Sequence, residues 1–202
     1  MFLEIVFSIV VLLALLKHRF HFPDTSGLCS TMLVLGSGGH TTELMSYVRL
    51  LPPAYSPRIY IVASNDKLSR DKAMELETAR HNNDFLIEKL PRSREVGQPY
   101  FTSIFTTCYA IVIATFLVLK HRPRLVLCNG PGTCFPICLV TWVVHSFMRG
   151  SKAVVFVESV CRTRSLSLSG RLLYHFHLAR VVVQWPYLLK KHPRATYLGL
   201  LS

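Results

Sequence analysis

The stretch Met32-Leu33-Val34-Leu35-Gly36-Ser37-Gly38-Gly39-His40-Thr41-Thr42-Glu43 runs from an unbroken apolar tetrapeptide, through three glycines, into a segment of helical period. Four apolar residues without polar alternation are what a strand covered on both faces looks like, as in a parallel sheet. Glycines directly after such a strand permit positive φ and close backbone approach, and the N–H groups that open the next helix form an anion site. Thr41 stands where a dinucleotide fingerprint has its third glycine, and no Gly-Lys-Ser/Thr follows as in a triphosphate-binding loop. Phosphate is the natural guest of Gly36, Ser37, Gly38, Gly39, His40 and Thr41. A tight strand-to-helix turn with a structural histidine is the competing reading.

Outward from this stretch, short β-branched runs alternate with longer helical segments, the rhythm of an α/β fold. The expected strands are 32–35, 58–63, 84–89, 124–129, 153–158, 180–184 and 196–198. The expected helices are 41–51, the segment after Ser69, 101–121, 135–147, 169–178 and 186–192, with Thr41 and Ser169 as caps and Pro186 in a first turn. The fold class is therefore α/β, a Rossmann-like, doubly wound parallel sheet with helices on both faces. The segments 104–119 and 134–148 are apolar enough to be mistaken for membrane spans. Both are short for that role and lie between strands that could not pair across a bilayer, so both are expected to pack on the sheet. Segment 104–119 ends in Lys120, His121, Arg122 and Arg124, which suits a helix lying against lipid headgroups.

In such a sheet the ligand crevice lies outside the carboxyl ends of the strands. A second glycine loop, Cys128-Asn129-Gly130-Pro131-Gly132-Thr133, follows another expected strand and turns Asn129, Gly130 and Gly132 toward the same crevice. A third strand end carries Glu158 and Ser159, where the acid either accepts from a hydroxyl or pairs with Arg162 or Arg164. In the run 91–95, Arg92 and Arg94 could clamp a diphosphate, since arginine presents paired N–H groups, or remain a solvated basic loop. No metal-ligand cluster and no Ser-His-Asp order stands out, and neither a metal nor a cofactor is expected.

Of the 202 residues, 50% are hydrophobic and 17% charged, which excludes a disordered or collagen-like chain. The 23 Lys and Arg against 11 Asp and Glu leave a formal charge of +12, with a mean hydropathy of +0.35. A basic chain this apolar suits a membrane surface better than nucleic acid, which is not expected as a partner. The six cysteines form no CxxC and are expected as buried free thiols in a reducing compartment. The first sixteen residues, MFLEIVFSIVVLLALL, would span roughly 24 Å as a helix, enough for a thin endoplasmic reticulum bilayer. Glu4 stands where a cleaved signal peptide carries basic residues, so an uncleaved anchor is expected. Lys17, His18 and Arg19 then leave the amino terminus lumenal and the remainder cytosolic. The expected division is an anchor with its basic flank at 1–22, a linker at 23–31 and the α/β domain at 32–202.

Taken together, LVLGSGGHTTE (33–43), AYSPR (54–58), PRSREV (91–96), RLVLCNGPGTC (124–134), VFVESVCR (155–162), LSLSG (166–170), VVQWP (182–186) and YLG (197–199) resemble one known family over nearly the whole chain. It is the membrane-anchoring subunit of the two-subunit dolichyl-diphosphate N-acetylglucosamine transferase, the fourteenth named component of asparagine-linked glycosylation. The resemblance implies the acceptor-side half of a GT-B glycosyltransferase, similar to the first domain of the bacterial lipid II-forming transferase. Its donor-binding catalytic half would be a separate polypeptide, the partner in a heterodimer, and a length too small for two α/β domains agrees with this. The implied reaction adds N-acetylglucosamine from its UDP-sugar to N-acetylglucosaminyl-diphosphodolichol on the cytosolic face of the endoplasmic reticulum membrane. On this resemblance Gly36, Ser37, Gly38, Gly39 and His40, with Asn129, Gly130 and Gly132, contact the acceptor diphosphate or line the inter-subunit cleft, and Thr41, Arg92 and Arg94 are further diphosphate-binding candidates. A general base for the acceptor hydroxyl comes from one subunit or the other, with His40 and Glu158 the candidates in this chain. The apolar ending Leu200-Leu201 suits a tail that docks into the partner. Two other readings stay open. One is a purely structural anchor without substrate contacts. The other is a self-sufficient membrane-bound Rossmann enzyme with Asp66 as ribose ligand, against which the missing third glycine argues.

Overall fold

The computed structural model describes residues 27–201 except 82, 95–96, 131–132 and 148–152. The expected anchor at 1–22 and the linker residues 23–26 lie outside the described residues. From the linker onward the chain follows the order β1 (Thr31–Val34), α1 (Gly39–Leu50), β2 (Arg58–Ala63), α2 (Lys67–Ala79), β3 (Phe85–Leu90), α3 (Tyr100–His121), β4 (Leu125–Asn129), α4 (Cys134–Phe147), β5 (Ala153–Val157), α5 (Leu168–His175), β6 (Arg180–Val183), α6 (Leu188–Lys191) and β7 (Thr196–Tyr197). The strands form one parallel sheet in the order β3-β2-β1-β4-β5-β6-β7, the doubly wound arrangement expected from the alternating pattern.

Register explains why the inner strands are largely apolar. Leu33, Tyr60 and Leu127 stand opposite one another, and side chains alternate along a strand, so all three share a face. They pack with Leu44, Met45 and Val48 of α1 and with Ala73 and Leu76 of α2. Their neighbours Met32, Ile59 and Val126 point the other way, onto Ala114, Leu117 and Val118 of α3, Ile137 and Cys138 of α4 and Leu173 of α5. Each full burial of a Val, Leu or Ile stabilises by about 1.5–3 kcal/mol, so a polar residue on either face would be costly. Of the two apolar segments expected to be short for a span, α3 is not short: its 22 residues are long and apolar enough to cross a membrane, and it packs on the sheet through its second half, whereas the shorter α4 packs on the sheet as expected.

Strand β2 falls where expected, while the other six strands and the helices differ from expectation at their ends. Helix α1 starts at Gly39, two residues before Thr41, because Gly38 takes the capping position at φ 63°. Thr41 is instead buried in the first turn, where its hydroxyl donates to the Gly36 carbonyl. The cap of α5 is Ser167 rather than Ser169: its Oγ accepts from the Gly170 N–H at 3.0 Å. Pro186 lies in a turn just before α6, which is confined to four residues. Of the six cysteines, Cys128, Cys134 and Cys138 are buried free thiols, but Cys108 and Cys161 are exposed and Cys29 half-buried.

Two charged contacts hold helices to the sheet. Arg58 and Glu77, 3% and 0% exposed, meet at 3.0 Å beneath α2, with the Tyr60 hydroxyl also donating to Glu77. Burial, reinforced by that carboxylate, raises the Tyr60 hydroxyl far above its usual pKa. At the end of α3, Lys120 Nζ and His121 Nε2 lie 2.7 and 2.8 Å from Glu88 of β3. Partial burial pushes the Glu88 pKa up, but the hydrogen bonds and charges of these two side chains push it further down, leaving it below the ordinary value.

Candidate functional site

Strand order reverses between β1 and β4, the point outside whose carboxyl ends a doubly wound sheet is expected to take its ligand. The loop after β1 carries Gly36 to Gly39 into α1, and the loop after β4 carries Gly130. No side chain caps α1, and a Cβ at Gly38 or Gly39 would meet nothing within 4 Å. An open helix start of this kind offers backbone N–H groups to an anion.

The other glycines shape the space around His40. A Cβ at Gly36 would lie 2.7 Å from His40 Cβ and 2.8 Å from the Asn129 carbonyl oxygen. At Gly130, which has φ +103°, a Cβ would lie 2.8 Å from His40 Cγ. Both glycine loops thus leave room for the same imidazole, which sits across the point where strand order reverses. The Gly36 carbonyl is held from below by Thr41, whose Oγ1 lies 2.6 Å from Ser69 Oγ of α2.

His40 Nδ1 lies 2.8 Å from Asn129 Oδ1. Asn129 Nδ2 donates to Glu43 Oε2 at 2.8 Å, and Ser159 Oγ donates to Glu43 Oε1 at 2.7 Å. The start of α1, the end of β4 and the loop after β5 are therefore joined by one chain of hydrogen bonds. Asn129 is fully buried, His40 and Glu43 half-buried. Glu43 was legible only as part of the opening stretch. The signal that could have found it is its i, i+3 spacing from His40, which sets both on one helical face.

The remaining candidates lie elsewhere. Glu158 is 2% exposed, and its Oε2 accepts from the Ser167 N–H at 2.8 Å and the Ser167 hydroxyl at 3.0 Å. Burial raises its pKa above the ordinary carboxylate value, and the Ser167 hydrogen bonds offset part of that rise. Of the two alternatives for this acid, the hydroxyl is its hydrogen-bond partner. Arg92 and Arg94 follow β3, two strands from β1, and Arg94 Nε donates to the Gln98 carbonyl at 2.9 Å. Gly132 lies outside the described residues. Asp66, the ribose ligand of the alternative reading, caps α2 by accepting from the Ser69 N–H at 3.0 Å. Among the described residues no three His, Cys, Asp or Glu side chains cluster as a metal site would require.

Positions 31–201 match the family described as "Oligosaccharide biosynthesis protein Alg14 like". A Rattus norvegicus protein named UDP-N-acetylglucosamine transferase subunit ALG14 is 45% identical over 175 residues, covering 83% of this chain and 81% of its own. Proteins of the same name from Homo sapiens and Yarrowia lipolytica are 41% and 38% identical, covering 84% of this chain each and 82% and 80% of their own lengths. Among solved structures, MurG of Acinetobacter baumannii superposes with a TM-score of 0.56 at 13% identity. That superposition covers 84% of this chain but only 44% of MurG, and the likeness is one of fold, agreeing with one Rossmann-like half of a GT-B architecture. With a family match spanning all seven strands and relatives alike over four-fifths of their length, the chain belongs to the Alg14-like family of oligosaccharide biosynthesis proteins.

Proposed function

We propose that the chain is the membrane-anchoring, acceptor-side subunit of a UDP-N-acetylglucosamine transferase, acting with a separate donor-binding subunit on N-acetylglucosaminyl-diphosphodolichol at the cytosolic face of the endoplasmic reticulum. The observation that carries this reading is the His40–Asn129 hydrogen bond, which joins two glycine loops beside an open helix start. In this role the N–H groups of Gly38, Gly39 and His40 hold the acceptor diphosphate, with Gly36, Ser37, Thr41, Gly130 and Gly132 shaping the approach. Arg92 and Arg94 draw the anion toward the sheet edge.

A carboxylate only accepts, so the end of Asn129 facing Glu43 is the amide nitrogen and the end facing His40 is the oxygen. His40 then donates from Nδ1, and its Nε2 carries the lone pair. That nitrogen takes the proton of the acceptor hydroxyl as its oxygen attacks the anomeric carbon and UDP departs. Relatives named as transferase subunits support the division of labour, since a subunit has a partner.

Anchoring rests on two features. One is the apolar run at residues 1–16 with its basic flank. The other is α3, whose outer face exposes Phe101, Ile104, Phe105, Tyr109, Val112 and Phe116. Recruitment falls to the carboxyl end, where Leu198 and Leu200 are exposed. The test is transfer of labelled N-acetylglucosamine to a diphosphate-linked acceptor by this chain, by the donor-binding subunit and by both in membranes. Activity only in the mixture is expected; activity from this chain alone would overturn the half-enzyme reading.

A further inference from the structure

Resting on that reading, we infer that Glu43 is a positioning residue for the transfer reaction: through Asn129 it fixes which nitrogen of His40 carries the proton. Asn129 can present either end of its amide to His40, and the two orientations demand opposite tautomers of the ring. With the oxygen toward Nδ1, the ring donates from Nδ1 and Nε2 carries the free lone pair. With the amide nitrogen toward Nδ1, the proton moves to Nε2 and the lone pair is used up in accepting from Asn129. Nothing in the His40–Asn129 pair chooses between them. Glu43 does, because an ionised carboxylate has no hydrogen to give and admits only the amide nitrogen at 2.8 Å. Its other oxygen is held at 2.7 Å by the Ser159 hydroxyl, so the carboxylate is fixed at both ends. Gly36 and Gly130 leave the room that His40 occupies in this arrangement, since a Cβ at either would lie within 2.8 Å of its side chain.

The chain of donors and acceptors makes a swap of residues informative. Asn129→Asp keeps an acceptor for His40 but sets two carboxylates against each other. Adding Glu43→Gln restores the order: the introduced glutamine donates to the introduced aspartate and accepts from Ser159, while the aspartate accepts from His40. Glu43→Gln alone admits both amide orientations and so both tautomers.

The experiment measures transfer from UDP-N-acetylglucosamine to an N-acetylglucosaminyl-diphospho-isoprenoid by the full two-subunit complex, with subunit association checked for every variant. A lost hydrogen bond to a charged group is worth roughly 10–100-fold. Asn129→Asp is therefore expected to lower kcat by about 100-fold and Glu43→Gln by about 3–10-fold. The double variant is expected to recover at least about tenfold over Asn129→Asp. A double variant no better than Asn129→Asp would overturn the role of Glu43.

His40→Ala separates this failure from failure of the reading beneath it. Full transfer by His40→Ala would sink the use of His40 altogether, whereas loss there without rescue in the swap would sink Glu43 alone. Should the variants fail to assemble, long-range 1H–15N spectra of the unsubstituted complex decide the point. A ring protonated on Nδ1 is expected, and a ring protonated on Nε2 alone would overturn the proposal.

Discussion

Gly130 and His40 share space that only a glycine leaves free: a Cβ on Gly130 would sit 2.8 Å from the ring's Cγ, and φ +103° already disfavours any other residue there. Gly36 constrains the ring from the opposite loop and also faces the Asn129 carbonyl, which is backbone and cannot turn away. Gly130→Ala and Gly36→Ala are therefore expected to displace the imidazole and lower transfer by at least about tenfold, the loss of one hydrogen bond to it. Gly39→Ala, with open space around it, is expected to leave the ring in place. Transfer assays on the three complexes check this, and a Gly130→Ala enzyme of normal activity would refute it.

Glu158 is expected to act in stability rather than in transfer. Its folded pKa lies above the ordinary value of 4.5, so its contribution is fully present below that pH and lost as pH rises through the folded pKa. Glu158→Gln keeps an acceptor for Ser167 and removes the titration, so the variant's Tm is expected to fall less between acid and neutral pH, with transfer retained. Glu158→Ala leaves the Ser167 donors unpaired and is expected to cost about 1–3 kcal/mol. Loss of transfer in a folded Glu158→Gln complex would restore Glu158 as a base.

Removing one half of the Arg58–Glu77 pair leaves the other charge stranded in the core. Glu77→Ala is expected to destabilise by about 3–5 kcal/mol in denaturant titrations. A cost below about 1 kcal/mol, the range of exposed pairs, would contradict the burial.

The outer face of α3 is available for mutation without disturbing the core. Phe105→Glu and Phe116→Glu, at positions 68% and 65% exposed, are expected to change stability by no more than about 0.5 kcal/mol. Each is expected to weaken flotation of the complex with anionic vesicles, more clearly once residues 1–22 are deleted. Unchanged flotation of the double variant would rule out a lipid contact for this face.

At the carboxyl end, the Leu201 N–H donates to Gln184 Oε1 at 3.1 Å, while the Leu200 side chain stays exposed. Deleting residues 200–202 is expected to cost the isolated chain about 1 kcal/mol for the hydrogen bond and up to about 1.5–3 kcal/mol for the packing of Leu201 on the core. Co-purification with the donor-binding subunit is expected to be lost, and persistence of the complex would exclude the tail as the dock.

The sheet was legible in the sequence because its inner strands β1, β2 and β4 are buried on both faces, and a short run such as Arg58–Ala63, rich in β-branched residues, fits a covered strand better than a helix. The glycine loops were legible because glycine marks backbone freedom directly. Caps were harder. LSLSG offers two serines of equal propensity, and only Glu158, folded back from β5 onto Ser167, chooses the first. Glu43 was hardest of all, since its partners Asn129 and Ser159 lie 86 and 116 residues away and nothing local distinguishes it from a solvated acid.

Helix α3 has a consequence that follows from length. Its 22 residues rise roughly 33 Å, about twice the roughly 17 Å of the five-residue strand β4 to which it returns. Its buried apolar contacts, Ala110 to Val118, fall in the second half, and its last turn is tied to Glu88. The surplus therefore overhangs the sheet edge from which β3 exits, the edge that also carries His40 and Asn129. It stands there like a mast beside a deck. Were a lipid phase to wet Phe101, Ile104 and Phe105, it would lie on the side of the sheet where the strands end, and an amphiphile held there would keep its tail in the oil while its polar head lay toward His40.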